Sequence, residues 1–112
     1  MGQLTTHILD TTKGKPAALV PVVLSQLVGK EWIEIAHGIT NSDGRIPNLL
    51  ANDVLLQYGT YKMRFETKIY FDAEAVKAFY PFVEIVFYIN SSDHYHVPLL
   101  LNPFGYSTYR GS

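Results

Sequence analysis

Residues 95–112 read YHVPLLLNPFGYSTYRGS. Two runs of alternating character flank a turn punctuated by Pro and Gly, which is the pattern of paired β-strands. In an extended chain successive side chains point to opposite faces. Val97, Leu99 and Leu101 then share one face, and His96, Pro98, Leu100 and Asn102 share the other. Residues 102–105, Asn-Pro-Phe-Gly, make the turn. The second run sets Ser107, Tyr109 and Gly111 on one side and Tyr106, Thr108, Arg110 and Ser112 on the other. An imidazole therefore shares a sheet face with leucine, and an aromatic, a cation, a glycine and a hydroxyl follow the last strand. Chain ends ordinarily tolerate almost any composition. Polar groups clustered this way, directly after a core strand, point to a site.

The same period recurs upstream. Residues 4–10 read as a strand with Thr5, His7 and Leu9 on one face, and residues 11–16 as a turn. Residues 19–26 follow as a strand with Val20, Val22 and Leu24 towards the core. Pro21 has no N–H to give a ladder, which suggests an edge strand or a bulge. Residues 31–40 form a third strand, and Asp43-Gly44 is a tight-turn signal. Residues 46–52 read at best as a short strand and loop. Residues 61–67 alternate cleanly, with Tyr61, Met63 and Phe65 facing in. Asp72 can cap a short helix over 73–79 that Pro81 ends. Residues 82–89 are another strand, with Val83, Ile85, Phe87 and Ile89 on one face, and 90–93 a loop. No repeat or linker divides residues 1–112, so the expectation is a single all-β domain. Its expected architecture is a two-sheet β-sandwich of about eight strands with one short helix.

Composition excludes several classes of function. Nine basic and ten acidic residues leave a net charge of −1, which argues against nucleic acid or an anionic membrane as the partner. With no cysteine in the chain, a disulfide framework, a thiolate metal site and a cysteine nucleophile are all excluded. MGQLTTHILD has neither a basic segment nor a long apolar stretch, so no secretory signal is expected. No apolar run approaches the roughly 20 residues of a membrane span. The expected setting is soluble and cytoplasmic. Met1-Gly2 with Thr6 matches a loose myristoylation pattern and Asn90-Ser91-Ser92 a glycosylation sequon. Both patterns are short and common and carry little weight.

The titratable candidates are His7, His37, His94 and His96, with Arg45, Arg64 and Arg110. His7 shares its face with Leu9, where a structural imidazole is the commoner case. His94 and His96 form His-x-His, a spacing that can bind zinc on a strand, and His7 could complete such a set. No carboxylate pattern supports a metal there, and none is expected. His37, beside Gly38, reads as structural or exposed. There is no Gly-x-Ser-x-Gly elbow, phosphate loop or paired-carboxylate pattern.

Three blocks carry a resemblance: LTTHILDTTKGKPA at 4–17, ITNSDGR at 39–45 and HYHVPLLLNPFGYSTYRGS at 94–112. Together they resemble the transthyretin-like hydroxyisourate hydrolases over nearly the whole chain, the terminal Tyr-Arg-Gly-Ser being the most specific part. The resemblance implies a transthyretin-like sandwich assembled as a homotetramer, a dimer of dimers with active sites in the channel between dimers. Leu9 and Leu100 would then be covered by a partner subunit. It maps catalysis onto His7, Arg45, His96 and Ser112, and substrate binding onto His7, Arg45, Tyr109, Arg110 and Gly111. The implied reaction opens the six-membered ring of 5-hydroxyisourate, an unstable product of urate oxidation, by hydrolysing an amide bond. No cofactor or metal is implied. Asn102 stands where many relatives carry Ser, a small departure in a turn.

Such a reaction needs a neutral imidazole to accept a proton from water. It needs a cation or donors for the charge on the carbonyl oxygen, and a rigid pocket for a flat heterocycle. His7 and His96 suit the first need, with the choice between them open. Arg45, placed by the Asp-Gly turn, suits the second, and Tyr109 and Ser112 the third. Two rival readings remain. One is a transthyretin-type module that binds and transports a small ligand without chemistry; the other is a plain interaction domain. Two imidazoles and an arginine on a channel face are of less use to a carrier of an apolar ligand.

Overall fold

Period-two apolar runs pair into two four-stranded sheets in the computed structural model, which describes residues 2–111. In chain order the elements are β1 (Leu4–Thr5), β2 (Ile8–Asp10), β3 (Lys15–Pro16), β4 (Pro21–Val28), β5 (Glu31–Ile39), β6 (Gly59–Phe65), α1 (Thr67–Ala73), β7 (Val83–Ile89), β8 (Tyr95–His96), β9 (Leu99–Asn102) and β10 (Gly105–Thr108). One sheet runs β5-β4-β6-β7, antiparallel throughout, and the other β10-β9-β2-β3. The inward residues of both meet in one core. Ile8, Val22, Leu24, Met63, Phe65 and Leu99 have no exposed surface, and each such burial is worth about 1.5–3 kcal/mol before entropy is counted.

β1 and β8 form a small parallel pair, and β2 and β9 continue it in parallel. Residues 4–10 and 95–102 are thus two long neighbours, each interrupted once. Pro98 has no N–H for the ladder. The Thr6 hydroxyl donates to the Val97 carbonyl at 2.7 Å, so a side chain satisfies a backbone group beside the break. Joining the interrupted pieces gives eight extended runs, as the sequence implies.

Three local expectations are corrected. β4 is an interior strand, not an edge. Pro21 is tolerated because it is the first residue of the strand, and the irregularity sits further on, between Leu24 and Ser25. β10 ends at Thr108, short of the run read through residue 112. The helix ends around Asp72 instead of starting there. Thr67, Tyr70 and Phe71 make its buried stripe, and Asp72 is in its last turn, paired with Lys68 at 2.6 Å. The chain then leaves the helix through Ala75 at φ +54°. Val76 N–H donates to Phe71 O at 2.9 Å and Ala75 N–H to Asp72 O at 3.1 Å. That is a Schellman ending with alanine where glycine is the unstrained choice, and it prevents a helix over 73–79.

α1 also anchors the strand that follows His7. Tyr70 Oη donates to the buried Asp10 Oδ2 at 2.6 Å, while Thr12 and Lys13 N–H donate to Oδ1 at 3.1 and 3.0 Å. Glu74 accepts from Lys13 and Lys15 at 2.9 and 2.7 Å, and these two lysines hold its carboxyl down at about 2. Among the described residues no helix is long and apolar enough to cross a membrane.

Left-handed backbone costs an L-residue more than glycine. Ala75→Gly should therefore stabilise the fold by about 0.5–1 kcal/mol, read as a higher urea midpoint at unchanged slope. An unchanged or lower midpoint would refute strain at Ala75.

Candidate active site

Three sequence-separated pieces meet where β1 gives way to β2. The first is the turn at 41–45. Asn41 Oδ1 accepts from Asp43 and Arg45 N–H at 2.9 and 3.1 Å, and Gly44 N–H donates to Asn41 O at 2.9 Å. Gly44 takes φ +73°, and a Cβ there would run into the Ile8 carbonyl and lie 3.3 Å from His7 Cδ2. Glycine thus lets the turn press onto the start of β2, where Gly44 O accepts from Ile8 N–H at 2.9 Å. The next residue, Arg45, then bridges His7 as an isolated antiparallel pair.

The second piece is the parallel pairing. Val97 N–H donates to Thr5 O and Leu99 N–H to His7 O, each at 2.9 Å. Thr5 is the register partner of His96. The Thr5 hydroxyl shares hydrogen bonds with His96 Nδ1 at 2.8 Å and with His94 Nε2 at 3.1 Å. Thr5 did not stand out in the sequence, and His94 did so only as half of a His-x-His pair weighed for metal binding and set aside. The signal was there in part, since Thr5 and His7 share a strand face, but its meaning depends on the register with 95–96.

The third piece is the tail. Gly111 N–H donates to His96 O at 2.7 Å. A Cβ on Gly111 would meet His96 Cδ2 at 2.9 Å and Cβ at 3.1 Å, so the tail packs against the catalytic-candidate imidazole only because residue 111 lacks a side chain. Arg110 lays its guanidinium over the Tyr95 ring, 4.3 Å from the centroid. Tyr95 is itself held by Asn90 and Ser91.

The structure therefore brings His7, Arg45, His96 and Gly111 together. Tyr109 stands elsewhere, in a groove of ≈ 360 Å³ with Val86 and Tyr88 along the edge strand β7. Ser112 lies outside the described residues. Arg45 and Thr5 also line a cleft of ≈ 330 Å³ with Asn41, Ile46 and Leu50. Beyond the imidazoles the sheet face is open. Leu9, Leu100 and Ser107 stand in one row across it by register, none of them buried.

Burial and positive charge outweigh the one acidic neighbour in this cluster. Burial, then Arg45, pushes the His7 pKa below its ordinary value, against a smaller opposing effect of Asp43. Burial lowers His96 as well, followed by Arg45, His7 and His94. Both imidazoles are therefore neutral at pH 7 and able to accept a proton, while Arg45 stays charged. One nitrogen of His94 and one of His96 are engaged with the Thr5 hydroxyl. His37 is exposed and paired with Glu34 at 2.8 Å, away from the site.

The chain matches the HIUase/Transthyretin family over residues 4–111. It is 46% identical to the 5-hydroxyisourate hydrolase of Mus musculus over 112 residues, covering 97% of this chain and 94% of that protein. Among solved structures, 5-hydroxyisourate hydrolase from Klebsiella pneumoniae superposes with a TM-score of 0.84 at 39% identity, covering 97% of this chain and 98% of that one. Sea bream transthyretin in complex with thyroxine superposes with a TM-score of 0.91 at 35% identity, covering 97% and 94%.

If Arg45 holds the imidazoles neutral, its removal should raise both pKa values towards 6.5. NMR titration of the His7 and His96 ring protons in Arg45→Met should show both midpoints moving up. Unmoved midpoints would mean that burial alone sets them.

Proposed function

The chain belongs to the HIUase/Transthyretin family, and from that premise we propose that it hydrolyses 5-hydroxyisourate in urate degradation, yielding 2-oxo-4-hydroxy-4-carboxy-5-ureidoimidazoline. The observation that carries this reading is the grouping of two imidazoles, His7 and His96, around Arg45, where burial and the guanidinium push both pKa values down. One imidazole takes a proton from water as the water oxygen attacks the ring carbonyl. Arg45 stabilises the negative charge that builds on the carbonyl oxygen. The C–N bond then breaks, and the departing nitrogen takes the proton back from the ring nitrogen that accepted it. Overall, H and OH of one water add across the amide bond, with no redox change.

We assign the remaining site residues by position. Gly111 supports the His96 ring, and Ser112, next in the chain, supplies a polar group to the substrate. Arg110 and Tyr109 fix the path of the tail, the one over Tyr95 and the other along β7. A second copy covers the open row of Leu9, Leu100 and Ser107, and a dimer of dimers closes the site into a channel. The rival reading, a carrier of the transthyretin kind, uses the same channel without chemistry. The imidazole–guanidinium cluster favours hydrolysis, since an apolar ligand has no use for groups held in a proton-accepting state.

Adding the purified protein to urate with urate oxidase should speed the decay of hydroxyisourate absorbance; an unchanged decay refutes the enzyme. His7→Asn and His96→Asn should keep the fold and lose about 10²–10⁴-fold in rate. Since both pKa values are lowered, the acid limb of kcat should have its midpoint below about 6.5. Turnover near wild type in both variants would leave the imidazoles structural.

Gly111→Ala tests the tail. The new methyl displaces the His96 ring, so the rate should fall about 10-fold or more, as misplacement of a reacting group does, with the assembly unchanged by light scattering. Full activity would show that the tail does not position His96, and a monomer in the wild type would remove the channel.

A further inference from the structure

We infer that Thr5 and His94 are positioning residues for His96: the Thr5 hydroxyl, bonded to both rings, selects the His96 tautomer and carries a proton between them. This rests on the hydrolase reading above and assigns the general base to His96.

A hydroxyl has one proton to donate and can also accept. The chain His94 Nε2, Thr5 Oγ1, His96 Nδ1, with spacings of 3.1 and 2.8 Å, therefore has two polarities. In one, His94 Nε2–H donates to Thr5 and Thr5 donates to His96 Nδ1. A neutral His96 then carries its proton on Nε2 and cannot act as a base there. In the other, His96 Nδ1–H donates to Thr5 and Thr5 donates to an unprotonated His94 Nε2. His96 Nε2 is then a free lone pair, which is what attack by water requires. The second polarity is the working state, and it needs a partner for the Thr5 proton. His94 is that partner, through its Nε2 at 3.1 Å from the hydroxyl.

The same chain disposes of the charge. When His96 Nε2 takes the proton of water, the cation forms in a half-buried place beside Arg45 and His7, where positive charge is disfavoured. The Nδ1 proton can pass to Thr5 Oγ1 as Thr5 passes its own to His94 Nε2. His96 is neutral again, now with Nε2–H, the donor that the leaving ring nitrogen needs. The charge rests on His94, in a cleft shared with Asp93, Arg110 and Gly111. As Nε2–H is given to the leaving nitrogen, the reverse passage from His94 through Thr5 delivers a proton to Nδ1 in the same step, so His96 stays neutral, His94 loses its charge, and every proton is accounted for. Only N–H and O–H bonds form and break along the chain.

Three features place Thr5 for this. It is paired in register with His96 through the parallel β1–β8 contact. Gly111 lies close against the Cδ2 edge of the His96 ring, across the ring from the Nδ1 that meets the hydroxyl. Thr5 also lines the cleft that holds Arg45, so its replacement can be read against the same substrate.

The test uses Thr5→Val, Thr5→Ser and His94→Gln in the full chain. Nitrogen-15 shifts of the His96 ring, without substrate and above its titration, should report the Nδ1–H tautomer in the wild type and in Thr5→Ser. Thr5→Val should report Nε2–H. With hydroxyisourate, Thr5→Val should lose about 10²-fold in kcat with KM within about twofold, the size of an acid–base contribution. Thr5→Ser should recover most of that loss. His94→Gln, whose amide oxygen can accept from Thr5 but takes no proton, should keep the tautomer and still lose about 10-fold or more in kcat. An Nε2–H tautomer in the wild type, equal losses in the Val and Ser variants, or a wild-type rate in His94→Gln would each overturn the inference. A wild type without turnover would refute the hydrolase reading instead, and the ring shifts would still decide whether Thr5 selects the tautomer.

Discussion

Everything at the site depends on one parallel contact, the pairing of residues 3–10 with 95–102. Tyr95 N–H donates to Gln3 O at 2.7 Å, and Val97 and Leu99 N–H donate to Thr5 O and His7 O at 2.9 Å each. Parallel neighbours cannot be joined by a tight turn and need a long crossover. Here the crossover contains the entire β5-β4-β6-β7 sheet and α1. A one-residue slip would turn every side chain of a strand to the other face. His96 would then enter the core and Val97 the solvent. The apolar set Val97, Leu99 and Leu101, all buried, forbids that slip. Core packing thus sets the register that the chemistry uses.

That constraint explains why the groups of the site can be so close without neutralising one another. Arg45 comes in on a turn held by Asn41 and Gly44, from the side of β2 opposite β9 in sequence terms, and it finds no carboxylate at salt-bridge distance among the described residues. A guanidinium is always charged, so the adjustable groups are the imidazoles, and they answer by staying neutral. Burial acts in the same direction on both rings. Two acidic residues near β2 and α1 are occupied elsewhere, Asp10 with Tyr70 and Glu74 with two lysines, and Asp43, beside the site, opposes the downward shift of His7 only in part. Structural ion pairing and the cationic site are kept on separate elements.

Much of this was legible in the sequence, and the reason is the period of two. It assigns the inward faces of 61–65, 83–89 and 97–101 correctly, because both sheets are half-buried and a strand then alternates. The Asp-Gly turn announced itself through the one residue that tolerates φ +73° there. Helix placement failed because a capping-type Asp72 outweighed the buried stripe of Thr67, Tyr70 and Phe71, and no glycine marked the left-handed stop at Ala75. Pro21 misled because strand order is a tertiary fact. Thr5 and His94 were illegible as partners of His96. Thr5 and His96 are 91 positions apart, and only the register brings the hydroxyl to the ring. Direction along the tail was lost for a related reason. Alternation through 106–112 stops at Thr108, whose hydroxyl donates to Pro98 O at 2.6 Å, and beyond that point a two-fold period no longer says where Tyr109 goes.

The sandwich by itself does not choose between binding and hydrolysis. A thyroxine complex superposes on this chain more closely than a hydrolase does, with TM-scores of 0.91 and 0.84. Fold similarity is therefore silent on function, and the groups on one sheet face distinguish the two. A binding site for an apolar ligand gains from removing water and from shape. Polar groups without partners there cost free energy when the ligand covers them. A hydrolytic site accepts that cost, because its polar groups find partners in the transition state, as charge appears on the carbonyl oxygen and a proton leaves water. In this chain the face holds a guanidinium with no carboxylate at salt-bridge distance among the described residues, two imidazoles whose pKa values are pushed down, and a hydroxyl bonded to His96. Those groups are poorly placed to hold something apolar. They are well placed to move a proton and to meet a negative charge that exists only during reaction.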